Sequence, residues 1–209
     1  MPGEDLEDLV RALRDIRAEG LQATANYLGE SVREVEDARR ATGAYLRLLD
    51  RLRAEGLDAT LSVKLTQLGQ DVSDEVLRKN VTELLRKAAE TDTFVRFDME
   101  SSEHTQATLD TFETLCAAGL RGIGVVLQAY LHRTREDVAR MCELKARVRL
   151  CKGAYDEPAS VAFAHKAEVD RSFAELMERL LADGRYPALA THDEVLIERA
   201  IEFSRRNGI

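Results

Sequence analysis

Val148-Arg149-Leu150-Cys151-Lys152-Gly153-Ala154-Tyr155 reads as a short buried strand that runs into a cation, a glycine and a phenol. A strand in a packed sheet favours apolar, β-branched residues, so Arg149 and Lys152 on either side of Leu150-Cys151 are out of place unless they sit at its end. Barrels and open α/β folds carry their chemistry at strand ends of this kind, where charge is delivered into a loop. The plain alternative is a strand followed by a solvated turn, and the rest of the chain decides between the two.

The surrounding sequence alternates between helical and strand-like patterns. Before the opening strand, helical spacing of apolar residues predicts helices over 31–55, 74–90, 105–118 and 134–145, and after it over 165–183 and 193–206. Short apolar runs at 21–28, 60–65, 94–99, 124–130, 148–151 and 188–191 predict six strands. Leu6, Leu9, Val10, Leu13 and Ile16, closed by Gly20, make residues 1–20 an N-terminal helical segment. Strands separated by single helices build βαβ units and a parallel sheet. No Pro- or Ser-rich linker interrupts residues 21–209, which read as one domain. Leu28-Gly29-Glu30-Ser31 lacks the glycine pattern of a dinucleotide-binding turn, which leaves the (βα) barrel as the preferred architecture.

The chain has 209 residues, 44% hydrophobic and 33% charged, with a net charge of −8. That balance argues against broad electrostatic binding to nucleic acid. No apolar run approaches the ~20 residues that span a bilayer. Met1-Pro2-Gly3-Glu4-Asp5 lacks a signal-peptide core, so the expected compartment is the cytoplasm. Cys116, Cys142 and Cys151 match no zinc spacing, and three is an odd number for a disulfide framework. His104, His132, His165 and His192 form no paired metal motif, so no metal is expected.

Each later strand ends in a polar group: Lys64, Asp98, Gln128, Arg149 with Lys152, and Thr191-His192. In a barrel these side chains converge on one mouth, where burial is costly unless charges pair or bind a ligand. Three cations against one carboxylate suit an anionic ligand with several oxygens, such as a pyrophosphate cofactor or a small carboxylate. They suit a divalent metal poorly, and they lack the paired acids of a glycosidase.

These motifs carry a resemblance. Val63-Lys64-Leu65, Arg96-Phe97-Asp98-Met99-Glu100, Val126-Leu127-Gln128-Ala129-Tyr130, the Arg149 to Tyr155 string and Ala190-Thr191-His192-Asp193 resemble the successive strand motifs of the FAD-dependent proline dehydrogenases. Tyr27-Leu28-Gly29-Glu30 resembles that family's first strand end, with Asn26 where an aspartate is usual. The resemblance runs from about residue 21 to the end. It implies a (βα)8 barrel holding FAD, of which about six βα units lie in this chain. The implied reaction is oxidation of L-proline to Δ1-pyrroline-5-carboxylate, with hydride passing from C5 to flavin N5 and electrons going on to a quinone.

By the same resemblance, Lys64 holds the proline carboxylate and Tyr155 lines the substrate side. Asp98 orders charged partners, and Arg149 lies near the reacting edge of the flavin. Met99, Gln128, Lys152, Gly153, Ala154, Thr191 and His192 contact the cofactor. A pyrroline-5-carboxylate dehydrogenase is an expected partner, and a membrane quinone would bring peripheral contact with a membrane. The family has two further strands and a closing helix that carries an arginine pair. Arg205-Arg206 lies too early to be that pair, so the chain is expected to be a piece of a longer protein, with its activity alone in question. Two alternatives stand beside this reading: a non-catalytic flavin- or phosphate-binding barrel remnant, and a barrel lyase using Lys64 or Lys152 as a Schiff base.

Overall fold

A computed structural model of the chain describes residues 5–209. Residues 1–4 of the predicted N-terminal segment lie outside the described residues. The chain divides into two compact units, one ending at Asp98 and the other beginning at Met99. None of the three cysteines is in a disulfide, and Cys142 is buried.

The first unit holds α1 (Leu6–Ala18), β1 (Ala23–Ala25), α2 (Val35–Glu55), β2 (Ala59–Val63), α3 (Asp74–Glu90) and β3 (Val95–Phe97). β1 pairs with β2 and β2 with β3, all parallel. Asp5 caps α1 through a bond from the Asp8 amide, and Ser73 caps α3 through the Val76 amide. α2 ends at Gly56, whose φ of 61° is left-handed, and the Leu57 amide closes back on the Leu52 carbonyl. Leu49, Leu61, Leu84 and Phe97 are fully buried and form the centre of this unit.

Two of the shifts from the predicted elements here have a physical reason in view. α2 starts at Val35, four residues later than the pattern suggested. Ser31 takes a left-handed φ of 55°, and its amide donates to the Thr66 hydroxyl at 2.9 Å, which ties residue 31 to the loop after β2. β1 shrinks to three residues, because Leu21 and Leu28 at the ends of the predicted run are both 59% exposed.

The second unit holds α4 (Ser102–Ala117), β4 (Ile123–Gln128), α5 (Thr134–Glu143), β5 (Arg147–Cys151), α6 (Lys166–Asp183), β6 (Ala188–Ala190) and α7 (Glu194–Asn207). β4 pairs with β5 and β5 with β6, again parallel. β4 is buried along its whole length, as a strand covered on both faces should be. β5 alternates, with Val148 and Leu150 buried and Arg147, Arg149 and Cys151 half-buried on the other face. Phe112, Leu127, Met141, Phe173 and Met177 fill the core. Among the described residues the fold is therefore α/β, with six strands and a helix after each one, in the pattern the opening strand suggested.

Candidate active site

Strand ends in a parallel sheet face loops, and each predicted group lies within a residue or two of such an end. In the first unit, pairing of Val63 with Phe97 brings Lys64 and Asp98 side by side, and the Asp98 amide donates to the Val63 carbonyl at 2.8 Å. Lys64 Nζ lies 3.8 Å from Asp98 Oδ2 and 3.9 Å from Glu30 Oε2. Both distances are ionic contacts too long to be hydrogen bonds, so the ammonium keeps its N–H donors for another oxygen.

Beneath this trio lies the buried Tyr45, whose hydroxyl meets Gln67 Oε1 at 3.0 Å and the Ser62 carbonyl at 3.3 Å. Burial drives its phenol well above the usual tyrosine range, and the Asp98 charge pushes the same way. Gln67 in turn donates to the Tyr27 carbonyl at 3.0 Å, fixing the chain just before Glu30.

In the second unit, Gln128 is 3% exposed. Its Nε2 donates to the Met99 carbonyl at 3.3 Å, while its Oε1 is buried without a hydrogen-bond partner. A buried acceptor left open costs free energy, which a ligand N–H would recover. Met99 is buried beside it, as is Glu100.

Arg149 lies on the half-buried face of β5, opposite Val126 on β4 and Ala188 on β6. Gly153 has a φ of 111°, and the Tyr130 ring occupies the space a side chain would need: a Cβ there would lie 2.2 Å from Tyr130 Cδ1. Only glycine allows this turn. Ala154 is exposed and Tyr155 half-buried. Thr191 Oγ1 accepts from the Asp193 amide at 3.1 Å, and His192 is exposed.

Lys152 is held firmly. Its Nζ donates to Asp170 Oδ1 at 2.6 Å and to Asp193 Oδ2 at 2.8 Å. Lys166 joins the same two carboxylates. Burial pushes the Lys152 ammonium down, but the hydrogen bonds to Asp170 and Asp193 outweigh it and hold its pKa above the ordinary lysine value. Lys152, first among the causes, holds both carboxylates below their usual range. The strand-end tally of three cations to one carboxylate therefore changes. Glu30 adds a carboxylate beside Lys64 in the first unit, and Asp170 and Asp193 add two beside Lys152 in the second.

The structure thus joins Lys64 to Asp98, Gln128 to Met99, and Lys152 to the turn that carries Thr191 and His192. Sequence reasoning gave no role to Glu30, Tyr45 or Asp170. Only Glu30 had a signal, its place just after the first strand. Among the described residues, no three His, Cys, Asp or Glu side chains gather as ligands for a metal ion.

A family model described as proline dehydrogenase matches residues 9–209. Proline dehydrogenase 2 of Bacillus subtilis strain 168 is 33% identical over 207 residues, covering 99% of this chain and 68% of that protein. The proline dehydrogenase of Deinococcus radiodurans is 32% identical over 211 residues, with the same shares covered. Among solved structures, proline utilization A from Bdellovibrio bacteriovorus, inactivated by N-propargylglycine, superposes with a TM-score of 0.90 at 22% identity. That match covers 100% of this chain and 27% of the other, and it shows a shared fold. This chain thus spans about two thirds of these two relatives and about a quarter of the longer solved chain. The polar strand ends and the six βα units have one common explanation: the chain belongs to the proline dehydrogenase family.

Proposed function

We propose that this chain carries the catalytic barrel segment of a flavin-dependent proline dehydrogenase, which oxidises L-proline to Δ1-pyrroline-5-carboxylate and passes the electrons to a quinone. The observation that carries the reading is Lys64, an ammonium fixed between Asp98 and Glu30 yet hydrogen-bonded to neither. Such a group suits an amino-acid carboxylate: the two acids hold its charge in place, and its donors stay open.

The residues present also fit FAD. Gln128 Oε1 is a buried acceptor that lacks a donor, and the isoalloxazine ring carries an N–H. Gly153 lets the loop turn tightly under the Tyr130 ring, which sets the course of the segment from Lys152 to Tyr155. Met99, Ala154, Thr191 and His192 complete the contacts, with Lys152 steadied by its two carboxylates. When bound, FAD supplies the ring that accepts the hydride leaving proline C5.

The protein's part is positioning and electrostatics. Lys64 anchors the carboxylate, and Asp98 holds Lys64 in place. Tyr155 walls the substrate side, and Arg149 sets a fixed cation beside the reacting edge. Proline bound with a neutral amine needs no dedicated base. The product is an imine, so a pyrroline-5-carboxylate dehydrogenase is the natural consumer and partner. The protein works in the cytoplasm, with a quinone reached by peripheral membrane contact. No described helix is long and apolar enough to cross a membrane.

The Schiff-base reading asks for a lysine with a depressed pKa, and the hydrogen bonds of Lys152 to Asp170 and Asp193 raise its pKa instead. The deciding experiment loads the purified chain with FAD and mixes it anaerobically with L-proline. Bleaching of the flavin band is expected. Retained flavin without bleaching would favour a non-catalytic flavin binder, and borohydride trapping of a substrate on lysine would favour a lyase. Arg149→Met should slow flavin reduction by about 100-fold while far-UV circular dichroism stays unchanged; unaltered reduction kinetics would remove Arg149 from its role.

A further inference from the structure

The proposed reaction gives Glu157 no part, yet this side chain makes two of the shortest bonds in the second unit. Its Oε1 accepts from the Ser102 amide at 2.6 Å, and its Oε2 accepts from the Ser102 hydroxyl at 2.5 Å. The two residues are 55 positions apart.

Ser102 is the first residue of α4, a helix that lacks a cap of its own. Ser101 stands at the capping position without a capping bond, its hydroxyl being engaged by His104 Nδ1 at 2.9 Å. Four amides at a helix start lack intrahelical partners, and the helix dipole makes that end attractive to an anion. Glu157 supplies the missing acceptor from a different loop, as a carboxylate.

That loop is the one that carries Lys152 to Tyr155. Its far end is fixed separately. Leu131 bridges Ala162 in antiparallel fashion, the Phe163 amide donates to the Tyr130 carbonyl at 2.8 Å, and the His132 amide donates to the Val161 carbonyl at 2.9 Å. Its near end turns at Gly153 under the Tyr130 ring. Tyr130 itself is 7% exposed. Burial first, then the Glu157 charge, pushes its phenol up to about 12, while the Tyr155 amide works the other way. Glu157 thus anchors the middle of the loop two residues beyond Tyr155, against the helix that follows Met99.

We propose that Glu157 is a positioning residue: by capping α4 from the β5–α6 loop, it fixes the Ala154–Tyr155 segment and so sets the affinity for substrate without touching it. This rests on the placing of Tyr155 at the substrate side in the reading above. In Glu157→Gln one oxygen can still accept from the Ser102 amide, but the amide nitrogen cannot accept from the hydroxyl, and the charge is gone. Glu157→Ala removes both bonds. Ser102→Ala removes one and leaves the backbone bond.

Two measurements test this. The first is amide hydrogen exchange on the FAD-loaded chain. Protection over residues 154–157 and the first turn of α4 should fall at least tenfold or so in Glu157→Ala, less in Ser102→Ala, with β5 and the middle of α6 unchanged. The second is steady-state kinetics. KM for proline should rise about tenfold in Glu157→Ala while kcat falls less than about threefold, with Glu157→Gln intermediate. The double variant should be no worse than Glu157→Ala, since both side chains act through one contact.

Unchanged exchange in Glu157→Ala would overturn the proposal, and so would faster exchange with an unchanged KM. Should Glu157→Ala fail to fold, Ser102→Ala carries both measurements. If the unaltered chain holds flavin that proline does not bleach, the proposed reaction fails, while the exchange measurement still decides whether Glu157 holds the loop.

Discussion

Tyr45 links packing to the candidate site at the level of a single atom. Its hydroxyl satisfies Gln67, and Gln67 holds the Tyr27 carbonyl, so the phenol fixes the approach of Glu30 towards Lys64. Tyr45→Phe would leave Gln67 Oε1 short of a donor in a buried place, at a cost of about 1–2 kcal/mol, measurable as a lower urea midpoint with an unchanged slope. Tyr45 and Tyr130 both ionise later in the folded chain than in the unfolded one. A raised pKa gives stability that is whole below the unfolded value near 10 and is lost as pH climbs towards the folded value. The urea midpoint should therefore hold to about pH 9.5 and fall between pH 10 and 12, with a shallower fall in Tyr130→Phe. Lys64, Asp98, Gln128 and Arg149 were legible from sequence because each is a polar break in an apolar run. Glu157 was not, because its partner lies 55 positions away and nothing local marks it, and Asp170 was not, because its bond to Lys152 spans 18 positions while its local pair with Lys166 is one that any exposed helix face can show.

The helices show the same division between local and distant causes. α3 runs from Asp74 to Glu90 as its pattern predicts, because its signals are all local: Ser73 as cap, Asp74 and Glu75 in the first turn, and Lys87 in the last. Ser73→Ala should cost about 1 kcal/mol, read from the same denaturation curves, with no change in any site property. α4 instead begins at Ser102, three residues before the apolar spacing suggested. Its start is set by a carboxylate from another loop, which no window of neighbouring residues contains. Every described strand but β5 came out shorter than its apolar run, since the ladder stops where the chain turns into the loops that hold Lys64, Asp98 and Thr191.

Across the whole molecule, exposed apolar side chains are concentrated rather than scattered. Leu21, Tyr27 and Leu28 flank β1 in the first unit, and Tyr186, Val195, Ile197 and Ile201 surround β6 and α7 in the second. Val195 is 72% exposed, and β6 is only partly covered. Exposed apolar clusters beside a short strand promote self-association. The paired substitution Val195→Lys and Ile201→Lys should lower the apparent mass seen by concentration-dependent light scattering, with little loss of thermal stability because neither side chain is buried. The repeating order of strand and helix was fully legible from periodicity. The division into two compact units was not, since it depends on which contacts close in space.

The bridge between Leu131 and Ala162 has a consequence for how the family can vary. Loops after strands are usually free to change one at a time, because each returns to its own helix. Here the loop after β4 and the loop after β5 share main-chain bonds and an edge-to-face ring pair, His132 against Phe163 at 4.6 Å. A chimera that takes one loop from a relative and keeps the other would mismatch both ends of that ribbon. The two loops should be inherited, and exchanged, only as a matched set.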